Sequence, residues 1–439
     1  MPNRTRMTSR MLQSAAVAAC ALWLTAPAAA QEAPQVITLD QAIGIALEYN
    51  PTVQQAENSA RMGTLSVLQQ KRELLPDLRL TTSTAAPYGS GVNDPSLNAG
   101  LSTDIQVPNV YSTIASLDQA RLNESGGEYS LERARQTVTF DVMQSYISLI
   151  EAEEQVRVQQ ENLLSVERQE AQIQAFVDAG ARPISDLYQQ QASTAGARLA
   201  VVQAERTLLV ARMNLIRLLQ LDPFGEYAFV APETGEVAAS FAELDLEALS
   251  RQAYAQRPDL TAAELQLNSA EQGVRIANAS RWPTLSLSLG YGATFNSRDE
   301  FGFVDQLDRG HGGSLQIGVS VPLLDSTTGI TRERARIQVE NAWIGLQNTR
   351  QVVAIEVRTA YLDLELAEQQ LEVAELQMRA AELALETAEQ RYDVGAGTLL
   401  ELTQAQVSQV RAATDLVNAR YGMLLQQRRM EYYLGSLAG

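Results

Sequence analysis

Two segments of this chain, 112–179 and 328–394, run for roughly 67 residues each without a proline. Both are rich in Ala, Gln, Glu and Arg, good helix formers. Their apolar residues recur at mixed three- and four-residue steps, as in Tyr361, Leu362, Leu364, Leu366, Leu371, Val373 and Leu376. A helix of that length is a rod of about 100 Å, far beyond the usual globular helix. No compact single domain buries such a rod along its length. The mixed steps suit coiled-coil packing of neighbouring helices, so the fold is elongated and mainly helical.

Each rod is preceded by a pair of alternating segments. The first pair is DLRLTTSTA and GLSTDIQVP, near 77–88 and 99–108; the second is TLSLSLGYGATF and SLQIGVSVP, near 284–295 and 314–322. In the second pair Leu285, Leu287, Leu289 and Tyr291, and then Leu315, Ile317, Val319 and Val321, alternate with Ser, Gly, Thr and Gln. Period-two alternation is the mark of a strand with one apolar face. The chain is a tandem repeat. At an offset of 207, Leu39 falls on Leu246, Ala46 on Ala253, Pro51 on Pro258, Pro76 on Pro283 and Leu80 on Leu287. At an offset of 215, Tyr146 falls on Tyr361, Ala152 on Ala367, Gly180 on Gly395, Leu187 on Leu402 and Leu219 on Leu434. The change of offset places an insertion between the strands of the second copy, at NSRDEFGFVDQLDRGHGG, a polar loop. The copies are expected at 31–220 and 244–439, joined by a Pro-, Gly- and acid-rich linker over 221–243.

Composition excludes several functions. A net charge of −18 opposes binding to nucleic acid. With a single His (His311) and a single Cys (Cys20), metal or thiol chemistry has almost no ligands. His311 sits in a Gly-rich loop without a second His, and the strand Ser and Thr residues have no nearby base. Neither catalytic nor metal nor cofactor-binding residues are expected. The N-terminus has a basic region, the apolar run SAAVAACALWLTAP, and Ala28-Ala29-Ala30 before Gln31. It reads as a signal peptide over 1–30. A second reading takes Val17-Ala18-Ala19-Cys20 as a lipoprotein box with Cys20 acylated. No other apolar run is long enough for a membrane helix, so strands would have to make any crossing.

Four strands cannot close a barrel, since the smallest membrane barrels need about eight, and an open edge in lipid leaves backbone groups unbonded. Membrane strands here therefore imply several chains; three would supply twelve strands. Strands of about nine to twelve residues have the length a tilted outer-membrane strand needs. The alternative, half-buried hairpins in a soluble envelope protein, explains less well why the strand pair occurs twice beside such rods.

ITLDQAIGIALEYNP, the entries LLPDL and WPTLSL, SVPLLDSTTG, the A-Y-x-x-L-x-x-A element from Ala360 to Ala367, and RYDVGAGTLLELTQAQ together resemble the outer membrane efflux proteins, the TolC family. The resemblance covers nearly all of the chain after the leader. It implies a homotrimer whose α-helical barrel is continuous with a 12-stranded outer-membrane β-barrel and extends into the periplasm. It implies a passive exit duct for efflux or type I secretion, without enzymatic activity. The implied partners are a periplasmic adaptor, an inner-membrane pump of RND, ABC or MFS type, and outer-membrane lipid.

Two glycine turns carry the remaining candidates. In VDAGARPISDLYQQQ, Gly180 ends the first rod and Asp186 follows; in RYDVGAGTLLELTQAQ, Gly395 and Glu401 hold the same places. Glycine suits the left-handed residue that closes a helix. The acids are either first-turn carboxylates that favour a helix start or, in three copies around an axis, a ring that attracts cations. The resemblance makes these tips, with Ser185, the periplasmic entrance and adaptor contact, closed by polar links between hairpins. Asp186 and Tyr392 match one such link. Gly397 stands where relatives carry Arg for a second link, which this chain cannot make in the same way. Arg182 is its counterpart in the other copy, and no equivalence of role follows from that. The rival function is a structural or adhesive coiled-coil protein of the cell envelope.

Overall fold

Local signals start and stop most of the helices. The computed structural model describes residues 35–73, 75–85, 96–107, 109–231, 245–296, 300–323 and 326–437. The proposed leader with Cys20, Tyr88, Pro108 and most of the linker lie outside those residues. Helix α1 (Leu39–Tyr49) opens on a capping box between Thr38 and Gln41, and α2 (Pro51–Arg72) on the Asn50 side chain with Pro51 in its first turn. That is the geometry in which proline costs no hydrogen bond. Their counterparts α5 (Leu246–Gln256) and α6 (Pro258–Ala279) begin at the Asp245 cap and at Pro258. The rods are α3 (Val110–Asp178) and α8 (Ser326–Asp393), slightly offset from the expected bounds. The hairpins are completed by α4 (Ile184–Leu219) and α9 (Leu399–Leu434).

Neither rod stands alone. The C-terminal part of α3 packs on α4, and its N-terminal part on α2 and α6; α8 packs on α9 and α6 in the same manner. One apolar core joins Ile37, Ala46, Val53, Val142, Tyr146, Leu149, Leu215 and Leu219. A second joins Leu249, Leu260, Leu346, Val353, Val357, Met430 and Leu434. In the first core, strand β1 (Gln35–Ile37) pairs in parallel with β4 (Tyr227–Phe229). The segment read as linker therefore contributes structure. Phe229 packs edge-on against Tyr146, whose hydroxyl reaches the carbonyls of Ile37 at 3.0 Å and Val230 at 2.5 Å.

The remaining strands are β2 (Arg79–Ala85), β3 (Ser96–Val107), β5 (Thr284–Asn296) and β6 (His311–Ser320), in one antiparallel sheet of order β2-β3-β5-β6. Two expectations are corrected here. The loop before β6 holds a short helix, α7 (Phe303–Arg309), and β6 begins at His311, because its Gly-rich start continues the ladder opposite β5. Val321 falls just beyond the end of β6 and is exposed, not part of the ladder.

Register decides what this sheet presents. Ile105, Leu287 and Ile317 lie in one row; Val107, Leu285 and Val319 form the next, and Leu80, Leu101 and Tyr291 another. The other face carries Thr81, Asp104, Ser286, Ser288, Gln316 and Gly318. A slip of one residue in any strand would have mixed the faces. The outcome is a largely apolar face, which also carries Thr82, Thr84, Thr103 and His311, opposite a polar one, with β2 and β6 as the edges among the described residues. Among the described residues no helix is long and apolar enough to cross a membrane.

Candidate functional site

The sequence picked out two places, the helix tips far from the sheet and the apolar sheet face. At the tips, Gly180 and Gly395 have φ of +74° and +76°, the left-handed conformation that closes α3 and α8. A Cβ at either would meet open space, so an alanine would be opposed by backbone strain alone. Gly395→Ala is expected to lower stability by about 1 kcal/mol per protomer. Urea unfolding followed by helix circular dichroism measures this, and no loss would mean the turn can relax.

Between the turns lies a small apolar core of Ile173 and Leu187 from the first hairpin with Tyr392, Leu399 and Leu402 from the second. Tyr392 is only 2 % exposed. Burial pushes its phenol up, Asp186 and Asp393 push the same way, and Arg182 opposes them. Contrary to the expected link, no hydrogen bond joins Asp186 to Tyr392. The Ser185 hydroxyl donates to the Asp186 carboxylate at 3.4 Å, and the Tyr392 hydroxyl has no hydrogen-bond partner among the described residues.

Tyr392 is held by Arg182 instead. The guanidinium lies 4.4 Å from the ring centroid, and its Nη2 donates to the Tyr392 carbonyl at 3.1 Å. The two residues are 210 positions apart in the chain. Gly397 is closely packed, and a side chain there would require its neighbours to shift by a few tenths of an ångström. Its N–H donates to the Arg391 carbonyl at 2.9 Å, and a Cβ would lie 3.2 Å from backbone atoms of Arg391 and Tyr392. Glu401 stands in the first turn of α9, where its N–H is capped by the Thr398 hydroxyl, and its carboxylate lies 3.6 Å from Arg391. The first-turn reading of this acid therefore has direct geometry. Gln172 adds a further tie by donating to Asp393 at 3.1 Å.

Sequence reasoning missed Arg391, Gln172 and the apolar tip residues. Thr398 three residues before Glu401 was a readable capping signal; the ties between hairpins left no local trace. Higher between the hairpins, Gln406 of α9 donates to the buried Gln169 of α3, a further polar bridge between them.

On the sheet, Leu285, Leu289, Tyr291, Leu315, Ile317 and Val319 are exposed in the single chain, and Leu287 is half-buried. These residues and the tips lie at opposite ends of the rods.

The family model described as outer membrane efflux protein matches residues 42–220 and 249–436. Outer membrane protein TolC of Vibrio cholerae is 26 % identical over 388 residues, covering 85 % of each chain. Protein CyaE of Bordetella pertussis is 28 % identical over 379 residues, covering 84 % of this chain and 78 % of its own. Among solved structures, the Campylobacter jejuni CmeC outer membrane channel superposes with a TM-score of 0.78 at 17 % identity, over 90 % of this chain and 85 % of that one. CusC superposes with a TM-score of 0.79 at 18 % identity, over 90 % of this chain and 92 % of that one. These structural likenesses concern the fold.

Proposed function

The chain belongs to the outer membrane efflux protein family, and from that premise we propose that it is the exit duct of a tripartite efflux or type I secretion assembly. It is an outer-membrane channel that extends into the periplasm. Three copies join edge to edge, β6 of one to β2 of the next, and the open edges of each sheet find their partners there. The apolar face meets lipid through Leu285, Leu287, Leu289, Tyr291, Leu315, Ile317 and Val319, with Val321 at the membrane boundary. The polar face lines the water-filled passage. A periplasmic adaptor contacts the helix tips, and an inner-membrane pump of the RND, ABC or MFS type selects the cargo; the duct performs no chemistry.

The observation that carries this reading is the sheet itself: a largely apolar face between two edges that are unpaired among the described residues, on the end of two long helical rods. A structural or adhesive coiled-coil protein has no use for such a sheet. Purified protein should migrate as a heat-modifiable trimer and open ion-conducting pores in planar bilayers. A monomer without conductance would support the rival.

The entrance is held by the tips. The contact of Arg182 with Tyr392 clamps the first hairpin to the second, and Gly180, Ser185, Asp186, Gly395, Gly397 and Glu401 shape the turns around it. A cation over a tyrosine face contributes about 0.5–2 kcal/mol. Arg182→Ala should loosen the closed entrance and raise single-channel conductance several-fold. Tyr392→Phe should leave conductance unchanged, since its hydroxyl forms no hydrogen bond among the described residues. Equal conductance in wild type and Arg182→Ala would remove Arg182 from the gate.

A further inference from the structure

The apolar sheet face is interrupted by one hollow of about 300 Å³. Its floor is small. Ala99 of β3 stands opposite Ala293 of β5. Its walls are large: Leu97 and Phe295 on one side, Leu80, Leu101 and Tyr291 on the other. His311 closes the β6 end, with its ring 5.9 Å from that of Tyr291. Behind the floor the paired Gly100 and Gly292 bring β3 and β5 close together, and a Cβ on Gly292 would lie 2.9 Å from the Ala99 carbonyl oxygen. The hollow lies near the ends of the strands remote from the rods, and every side chain of its floor and walls belongs to the face assigned to lipid.

We propose that this hollow is a site for one acyl chain of a membrane lipid in the outer leaflet. The inference rests on the lipid-facing reading of the sheet. A void in a packed surface forfeits dispersion contacts on one side, and an alkyl chain of the surrounding lipid would restore them. The lining is apolar apart from Thr294 and His311 at its margins, so it favours an alkyl chain over a headgroup. It is centred on β3 and β5 and reaches the edge strands at Leu80 and His311. Elsewhere on the same face Leu287, Leu289, Leu315, Ile317 and Val319 are large. A chain seated in the hollow is buried on three sides, and one on the neighbouring surface is touched from one side only.

The test reconstitutes the full trimer in phosphatidylethanolamine–phosphatidylglycerol vesicles and uses phosphatidylglycerol with brominated chains as the quenching probe. Two reporters each carry a single indole, introduced as Tyr291→Trp or Leu315→Trp, with the native tryptophans replaced by Phe. The brominated lipid should associate about fourfold more strongly at 291 than at 315, the equivalent of roughly one additional buried methylene. Adding Ala293→Leu fills the floor and should reduce the value at 291 to that at 315. Equal association at both reporters, or an unchanged preference with Ala293→Leu, would overturn the site and leave the lipid-facing sheet standing. Absence of quenching at both positions would overturn that assignment as well.

Discussion

Leu287→Arg should abolish the heat-modifiable trimer in the outer-membrane fraction, and the bilayer conductance with it. Leu287 lies in the part of β5 nearer the rods, flanked in its row by Ile105 of β3 and Ile317 of β6. An arginine on the lipid face of a membrane barrel costs about 2–4 kcal/mol at the bilayer midplane and less towards the interfaces. Three-fold assembly repeats that cost in every protomer, and a marginally stable structure has no reserve of that size. Ser288→Arg is the control. Its residue is adjacent in sequence but points to the opposite face, where the Ser288 hydroxyl lies 2.7 Å from the Asp104 carboxylate. This substitution should leave the trimer intact and shift ion selectivity away from cations. Normal assembly of Leu287→Arg, or equal failure of the two variants, would show that the assigned face does not meet lipid.

The second large effect is expected at Arg257, far from both the sheet and the tips. Arg257 is 3 % exposed at the junction of α5 and α6. Its guanidinium donates to both carboxylate oxygens of Asp259, at 3.0 and 2.6 Å, and to Glu356 of α8 at 2.5 Å. Arg133 of α3 approaches Asp259 at 3.8 Å and lies over the Tyr432 ring. The corresponding position of the first copy holds Asn50, which donates to the Leu218 carbonyl at 3.1 Å. Removing one member of a buried charge cluster strands the others at a cost of about 3–5 kcal/mol. Asp259 and Glu356 retain 28 % and 30 % exposure, which places Arg257→Ala near the lower end, about 3 kcal/mol. Urea unfolding of the two proteins at neutral pH measures it.

The same cluster gives a pH dependence. Burial alone would raise the Asp259 carboxyl, but the hydrogen bonds and charge of Arg257, with Arg133 behind them, hold it below the ordinary carboxylate value. A depressed folded pKa stabilises the native state above the unfolded value of about 3.9. That contribution is lost as pH falls through the lower folded value. Wild type should therefore lose this increment in acid, and Arg257→Ala should show a smaller loss over the same window. Identical acid dependence in the two would detach the carboxyl shift from Arg257.

The elements were legible where they follow from local rules. The run of helix formers without proline gave both rods to within about two residues, as expected of assignments at helix ends. The glycines at 180 and 395 marked the left-handed turns, and alternation assigned the sheet face residue by residue. The shared offset of 207 holds between the bounds of α1–α2 and α5–α6, and that of 215 between α4 and α9. Where locality ended, the reading failed or was silent. The link expected at Asp186 and Tyr392 is replaced by Arg182, the loop before β6 holds a helix, and β4 pairs with a strand nearly two hundred residues earlier.

By itself the sequence determined the repeat, the length of the rods, the two faces of each strand and the positions of the turns. Helix propensity, strand alternation and glycine's freedom at positive φ act within a few residues and can be read there. The tertiary structure alone decided the order β2-β3-β5-β6, the rows that gather the apolar residues of four strands on one face, and the partners of Tyr392, Asp259 and Phe229. Those contacts join residues that are distant in the chain, and which of many compatible groups meet is set by how the rods pack.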